Sequence, residues 1–336
     1  MKKIIITICT SVALLSCNKN EMETQSSNSE IIRFNDVATR TVVSNASEIT
    51  EFSVFADQNL GPDGTTQAHQ WVSILQDERV YRDENNDFTY DNTRYWVNGR
   101  TFFFFGVYPY GTDVTRTESI DPQGQISFEY TVGVTIPYNA SRDFLIAQTT
   151  IPVLVDAVDY PLVGMEFNHL LSQIVINVKK DAIYNATDSF IVTQVGISGI
   201  SRNGTLVAAH SPNTYTESLN VVDESRQIRR QNLNASLTAA GVDVLGENNG
   251  MLVLPQVIKE GVAKLSIAYS YQQAADTELQ YSTIEVDIPT EQVSQWESGK
   301  IYTYNLTLKI DNNIYISTPT VSNWGTAQSG GTIIIK

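Results

Sequence analysis

The sequence predicts an all-β protein: two tandem antiparallel β-sandwich domains behind an export signal and a polar tether. Three observations carry this. Beyond residue 30 the apolar residues recur with a period of two, the alternation of strands with one face buried. Charged residues make up only 18% of the chain, and Thr, Ser, Asn, Tyr and Val, which suit strands and turns, fill the difference. Turn dipeptides then punctuate the apolar runs at short intervals. With 336 residues and 42% hydrophobic content, the chain can bury more than one core.

Residues 1–17, MKKIIITICTSVALLSC, come first in the argument. Lys2 and Lys3 precede an apolar run from Ile4 to Leu15, the layout of an export signal. The run is shorter than the roughly 20 residues a membrane-spanning helix needs. Leu14-Leu15-Ser16-Cys17 resembles a bacterial lipobox, which implies removal of residues 1–16 and acylation of Cys17; the plainer alternative is an ordinary signal with a chance cysteine. Acyl chains, palmitate among them, at about 0.8 kcal/mol per buried CH₂ hold a protein on a membrane without a spanning helix. Cys9 is lost with the signal, so the mature chain has no pair of cysteines for a disulfide or a metal. Its charge is −17, with 20 basic against 37 acidic residues, which argues against nucleic acid as a partner. The polar stretch from Asn18 to Glu30 reads as a tether, giving 17–30 with the lipid-bearing residue.

The strands follow in order. Phe102 to Phe105 is apolar on both faces and predicts a central strand covered on each side. Ile174, Ile176 and Val178 alternate; so do Leu265, Ile267, Tyr269 and Tyr271, then Ile284, Val286 and Ile288. The clearest alternation is Tyr302, Tyr304, Leu306, Leu308 and Ile310 against Thr303, Asn305, Thr307 and Lys309. Asp63-Gly64, Asn98-Gly99, Asn203-Gly204 and Asn249-Gly250 are hairpin dipeptides, and Asp121-Pro122-Gln123-Gly124 separates two short strands. Thr290 to Gln295 is the one stretch expected to form a helical turn. Lys179-Lys180-Asp181 closes a strand ahead of a polar run, which divides the folded part into domains 31–182 and 183–336.

No catalytic or metal site emerges. Asp83 to Asp87 opens like a calcium loop, but Phe88 stands where the turn needs Gly and Arg94 where a bidentate Glu is needed. Gly196-Ile197-Ser198-Gly199 is not a nucleophile elbow; it leads instead into a hairpin turning at Asn203-Gly204. His69, His169 and His210 are far apart, and His169 reads as a hydrogen-bonded, partly buried imidazole. Tyr81, Phe88, Tyr90, Tyr95 and Trp96 form an aromatic cluster that suits either sugar stacking or strand packing, and packing is the commoner use. No cofactor is expected.

An ordered set of segments resembles the fimbrillin family of Bacteroidales lipoproteins. They are Ile32-Arg33-Phe34 with Ala38-Thr39-Arg40; Phe52 to Ala56; Tyr95-Trp96 leading into Phe102 to Pro109; Asp143 to Ala147; Met165 to Ile174; and Trp296 to Leu306 followed by Trp324. The resemblance implies two transthyretin-like sandwiches, an outer-membrane lipoprotein anchored through Cys17, and a place in cell-surface fimbriae among self or related subunits, with a host or bacterial surface ligand.

It also implies assembly by strand exchange. Ile31, Ile32, Phe34 and Val37 belong to an N-terminal strand that is displaced once a protease cuts between Arg40 and Thr41. An open sheet edge with pockets for alternate side chains then accepts a strand from a neighbour. The run Ile333-Ile334-Ile335 behind Gly330-Gly331 is either that donor or the last strand of its own domain. Stalk, tip and anchor roles all fit. A glycan-binding lipoprotein of a polysaccharide-uptake system is the alternative, and an enzyme would need carboxylates clustered in a cleft.

Overall fold

A computed structural model of the chain describes residues 30–34, 38–39, 49–59, 71–122, 124, 126–138, 143–153, 160–211, 214–246, 250–274, 278–309, 314–317 and 319–324. Among them there is no helix, and the strands, numbered β1 to β23 in chain order, form five sheets.

The first sheet has seven strands. In spatial order they are β1 (Ala38–Thr39), β9 (Glu166–His169), β8 (Leu145–Ile151), β5 (Phe102–Tyr108), β2 (Glu51–Asn59), β3 (Trp71–Arg82) and β4 (Phe88–Thr89). The second runs β13 (Thr214–Val221), β12 (Asn203–Ser211), β7 (Ile126–Thr135) and β6 (Val114–Ile120). The third runs β15 (Val242–Asp243), β10 (Ser172–Lys180), β21 (Lys300–Leu308) and β22 (Ile314–Ile316), with β16 (Met251–Val253) on β10 and β23 (Thr320–Asn323) on β21. The fourth runs β14 (Arg226–Ser236), β11 (Ser189–Ile200), β18 (Lys264–Gln272) and β19 (Gln280–Asp287), and β17 (Gln256–Val257) pairs with β20 (Gln295–Trp296).

Alternation decides which side chains go where. On β5, Phe103, Phe105 and Val107 point to one face and Phe102 and Phe104 to the other, and all five are fully or almost fully buried, as the doubly apolar run predicts. The first face packs on the second sheet. Phe105 stacks on Tyr130 with ring centroids 4.8 Å apart, and Phe103 and Trp71 meet Phe128 edge-on at 5.6 Å. Each such ring contributes roughly 1.5–3 kcal/mol by burial. Gly106 in the same strand keeps the other face tight, because a Cβ there would lie 2.6 Å from the Met165 methyl.

Hydrogen bonding crosses residue 182. β10 precedes it and pairs in parallel with β21, from Gln173↔Ile301 to Lys180↔Leu308. β12 and β13 follow it, yet β12 pairs with β7 from Asn203↔Thr135 to His210↔Phe128. One apolar cluster runs from Phe103 and Tyr130 through Ile174 and Tyr304 to Leu265. The expected domains 31–182 and 183–336 therefore share two sheets. A parallel pair needs a long crossover, and residues 181–299 supply it.

Two local expectations are corrected. Asn203-Gly204 is not a hairpin turn; both residues open β12, whose neighbours are β7 and β13 rather than β11. The chain leaves the fourth sheet after Ile200, just beyond an irregularity in β11 at Gly199, whose φ of +71° and whose approach to the Val262 carbonyl leave no room for a Cβ. Thr290 to Gln295 is not a helical turn, because Gln295 and Trp296 pair with Val257 and Gln256. By contrast, Asp121 to Gly124 does close the β6–β7 hairpin, with the Gly124 amide donating to the Asp121 carbonyl at 2.9 Å.

Candidate functional site

Among the described residues, no sheet lies opposite the second face of the seven-stranded sheet. Phe52, Val54 and Ala56 of β2, Leu75 and Val80 of β3, Phe102 and Phe104 of β5, Leu145 and Ala147 of β8 and Phe167 of β9 form an apolar floor. Among the described residues, three irregular stretches cover it: residues 30–34, 90–98 and 160–165. The first contributes two plugs. Ile32 is fully buried and Phe34 is 6% exposed, whereas Arg33 between them is exposed.

Phe34 sits in a cage of rings. Its centroid lies 5.6 Å from Tyr90, 6.0 Å from Phe104 and 6.2 Å from Phe52, each pair close to perpendicular. This is the edge-to-face arrangement that aromatic quadrupoles favour. The Tyr90 hydroxyl donates to the Ile32 carbonyl at 2.9 Å and accepts from the Arg94 amide at 3.1 Å. Burial pushes that hydroxyl's pKa up, so it stays a donor.

The backbone holds the segment at few points. The Ile32 amide donates to Arg94, the Trp96 amide to Glu30 and the Val163 amide to Arg33, at 2.8–3.0 Å. Ile31 bridges Tyr95 antiparallel and Phe34 bridges Val163 in parallel. Ala38 and Thr39 then pair in parallel with Glu166 and Phe167. The residues expected in the displaced strand thus come together: Ile31 half-buried, Ile32 and Phe34 as plugs. Val37, Arg40, Thr41, Cys17 and Ile333 to Ile335 lie outside the described residues, as does His69.

Sequence reasoning found the plug but not its cage. Phe88, Tyr90 and Trp96 of the suspected aromatic platform are buried in this floor, Tyr81 is half-buried, and Tyr95 is exposed. Asp83 caps its own loop, accepting from the Asn85 and Asp87 amides at 2.8 and 3.0 Å.

Asp57 and His169 are two of the polar residues buried elsewhere. Asp57 on β2 is fully buried, forms an ion pair with Arg116 of β6 at 2.6 Å and accepts the Tyr130 hydroxyl of β7. Burial pushes its carboxyl up, against the pull of Tyr130 and Arg116. The Phe-rich run around Asp57 gives no sign of this partner. His169 is hydrogen-bonded and buried, as expected: Nδ1 meets Asp143, and the ring stacks on Trp324 at 3.8 Å beside a cavity of about 290 Å³. Asp143 is pushed up by burial, with His169 pulling it back. No group of three metal-ligating side chains occurs among the described residues.

Among the described residues the fold is all-β, and the N-terminal segment covers part of one face of its first sheet. The fimbrillin-like family model matches residues 39–324, so the chain belongs to the fimbrillin-like family and is a structural protein of fimbriae. No curated protein matches it. Among solved structures, a candidate cell adhesion protein of Bacteroides ovatus is 15% identical, covering 88% of this chain and 98% of that one, with a TM-score of 0.47. One from Bacteroides uniformis has the same identity and coverage at 0.44. The tip fimbrial protein Mfa3 of Porphyromonas gingivalis is 9% identical over 88% and 98%, at 0.35. The family assignment rests on the match over residues 39–324.

Proposed function

We propose that this chain is a non-enzymatic subunit of adhesive surface fimbriae that assembles by exchanging its N-terminal strand. It is exported as an outer-membrane lipoprotein on Cys17, with residues 18–30 as the tether. A protease cuts between Arg40 and Thr41, residues 31–37 leave, and a strand from a neighbouring subunit takes the vacated floor. The run Ile333 to Ile335 serves as this chain's own donor to the next subunit.

The single observation behind this reading is the way residues 30–34 are held. Two side chains fill apolar pockets while, among the described residues, three backbone hydrogen bonds tie the chain to irregular neighbours. A covering of that kind is removable and replaceable, because an incoming strand restores both the pockets and the hydrogen bonds. Arg40 follows directly on the Ala38–Thr39 pairing, whereas the Arg33 carbonyl is engaged by Val163, which makes Arg40–Thr41 the better scissile bond.

The test is limited trypsin treatment of the purified precursor. The account expects one nick after Arg40 followed by ladder-forming oligomers, and an Arg40→Ala chain that stays monomeric and membrane-bound. A nicked chain that remains monomeric at high concentration contradicts it.

A further inference from the structure

The acceptor pockets are chemically selective, and this chain's own tail does not match them. The resident segment fits by a two-residue alternation: Ile32 inward, Arg33 outward, Phe34 inward. Ile32 is fully buried, and its carbonyl is fixed by the Tyr90 hydroxyl. Phe34 is enclosed by three rings that all meet it edge-on. An aliphatic side chain there loses the edge-to-face contacts and leaves part of the cage unfilled, because packed walls relax only partly. Two of the three rings, Phe52 and Phe104, stand on β2 and β5, central strands whose other face packs on the second sheet, so those walls relax little around a smaller occupant.

The last twelve residues read GTAQSGGTIIIK and contain no aromatic residue. With Ile333 and Ile335 inward, the tail supplies an aliphatic residue to each pocket; in the other register it supplies Thr332, Ile334 and Lys336. Neither register offers a ring to the cage.

We propose that the strand accepted by this chain comes from a different protein, one presenting an aliphatic residue and an aromatic residue two positions further on, and not from residues 325–336 of a second copy of this chain. The inference rests on the strand-exchange reading above and sharpens it. The chain takes a position between unlike subunits: its acceptor floor faces an aromatic-bearing donor, and its Ile-rich tail serves an acceptor with aliphatic pockets.

The experiment uses the full chain, nicked after Arg40 and freed of the N-terminal fragment, with three labelled peptides followed by fluorescence anisotropy. These are residues 30–37, the same peptide carrying Phe34→Ile, and the tail 325–336. The expected result is that the first binds and the other two bind about tenfold or more weakly. If the tail binds as tightly as residues 30–37, the proposal is overturned while strand exchange stands. If residues 30–37 themselves fail to rebind, strand exchange fails and the proposal with it. A second measurement keeps the peptide preparation from deciding alone. In the intact Phe34→Ile chain, nicking should release the N-terminal fragment about tenfold faster than in the parent, and an unchanged release rate counts against the ring cage as the selective element.

Discussion

The two faces of the seven-stranded sheet are equally apolar but closed in different ways. Phe103 and Phe105 meet a four-stranded sheet whose strands are knitted by continuous ladders, β7 to β12 and β7 to β6. Phe102 and Phe104 meet irregular chain, including residues 30–34, which among the described residues are tied by three backbone hydrogen bonds. Burial alone does not separate them, since all four rings are fully buried. Regular pairing does. On the strand-exchange proposal, one face opens only when a sheet is dismantled, whereas the other opens when the N-terminal segment lifts.

Substitutions on the two faces sharpen that difference. Phe105→Ala, on the ladder-closed face, is expected to cost about 3–5 kcal/mol in urea denaturation, with the loss felt by the whole molecule. Asp57→Ala should cost roughly 3 kcal/mol, because Arg116 is left largely buried with only Glu118 as a charged partner; Asp57→Leu with Arg116→Met should recover part of it.

The same face should carry a pH signature. His210 is packed among Trp71, Phe103 and Phe128, and burial lowers its pKa from the ordinary 6.5 to about 4. Below pH 6.5 the unfolded chain takes up a proton that the folded chain refuses. Stability from this group is therefore complete above that pH, falls between pH 6.5 and about 4, and levels off below. The expected loss is of order 3 kcal/mol, and His210→Phe should remove this component from the stability–pH curve.

Phe34→Ala, on the replaceable face, should cost less in global stability, about 1–2 kcal/mol, because the penalty cannot exceed the free energy of lifting the segment. Tyr90→Phe should cost about 1 kcal/mol, and chiefly speed release of the nicked fragment, by leaving the Ile32 carbonyl without its donor. Equal global losses for Phe34→Ala and Phe105→Ala would erase the distinction between the faces.

Period-two alternation made the strands legible, and the doubly apolar Phe102 to Phe105 run announced a sheet covered on both sides. What covers each side was not legible. Strand partners separated by 68 or more residues, such as β7 with β12, leave no local trace, so Asn203-Gly204 read as a hairpin turn where the chain in fact changes sheets. The plug residues Ile32 and Phe34 were visible through the family resemblance, and the fold puts them in one place. Their cage was only half visible: Tyr90 stood in the noted aromatic cluster, but no spacing rule ties it to a residue 58 positions away. The Asp57–Arg116 pair was invisible for the same reason, since it joins two sheets.

Hydrogen exchange on the intact precursor tests the central claim most directly. The amides of Ile32, Trp96 and Val163, which hold the N-terminal segment, should exchange together through an opening that leaves β5, β7 and β12 protected. If these three amides instead exchange only with those of β7 and β12, at the free energy of global unfolding, then the segment is an integral part of the core and not a replaceable cover.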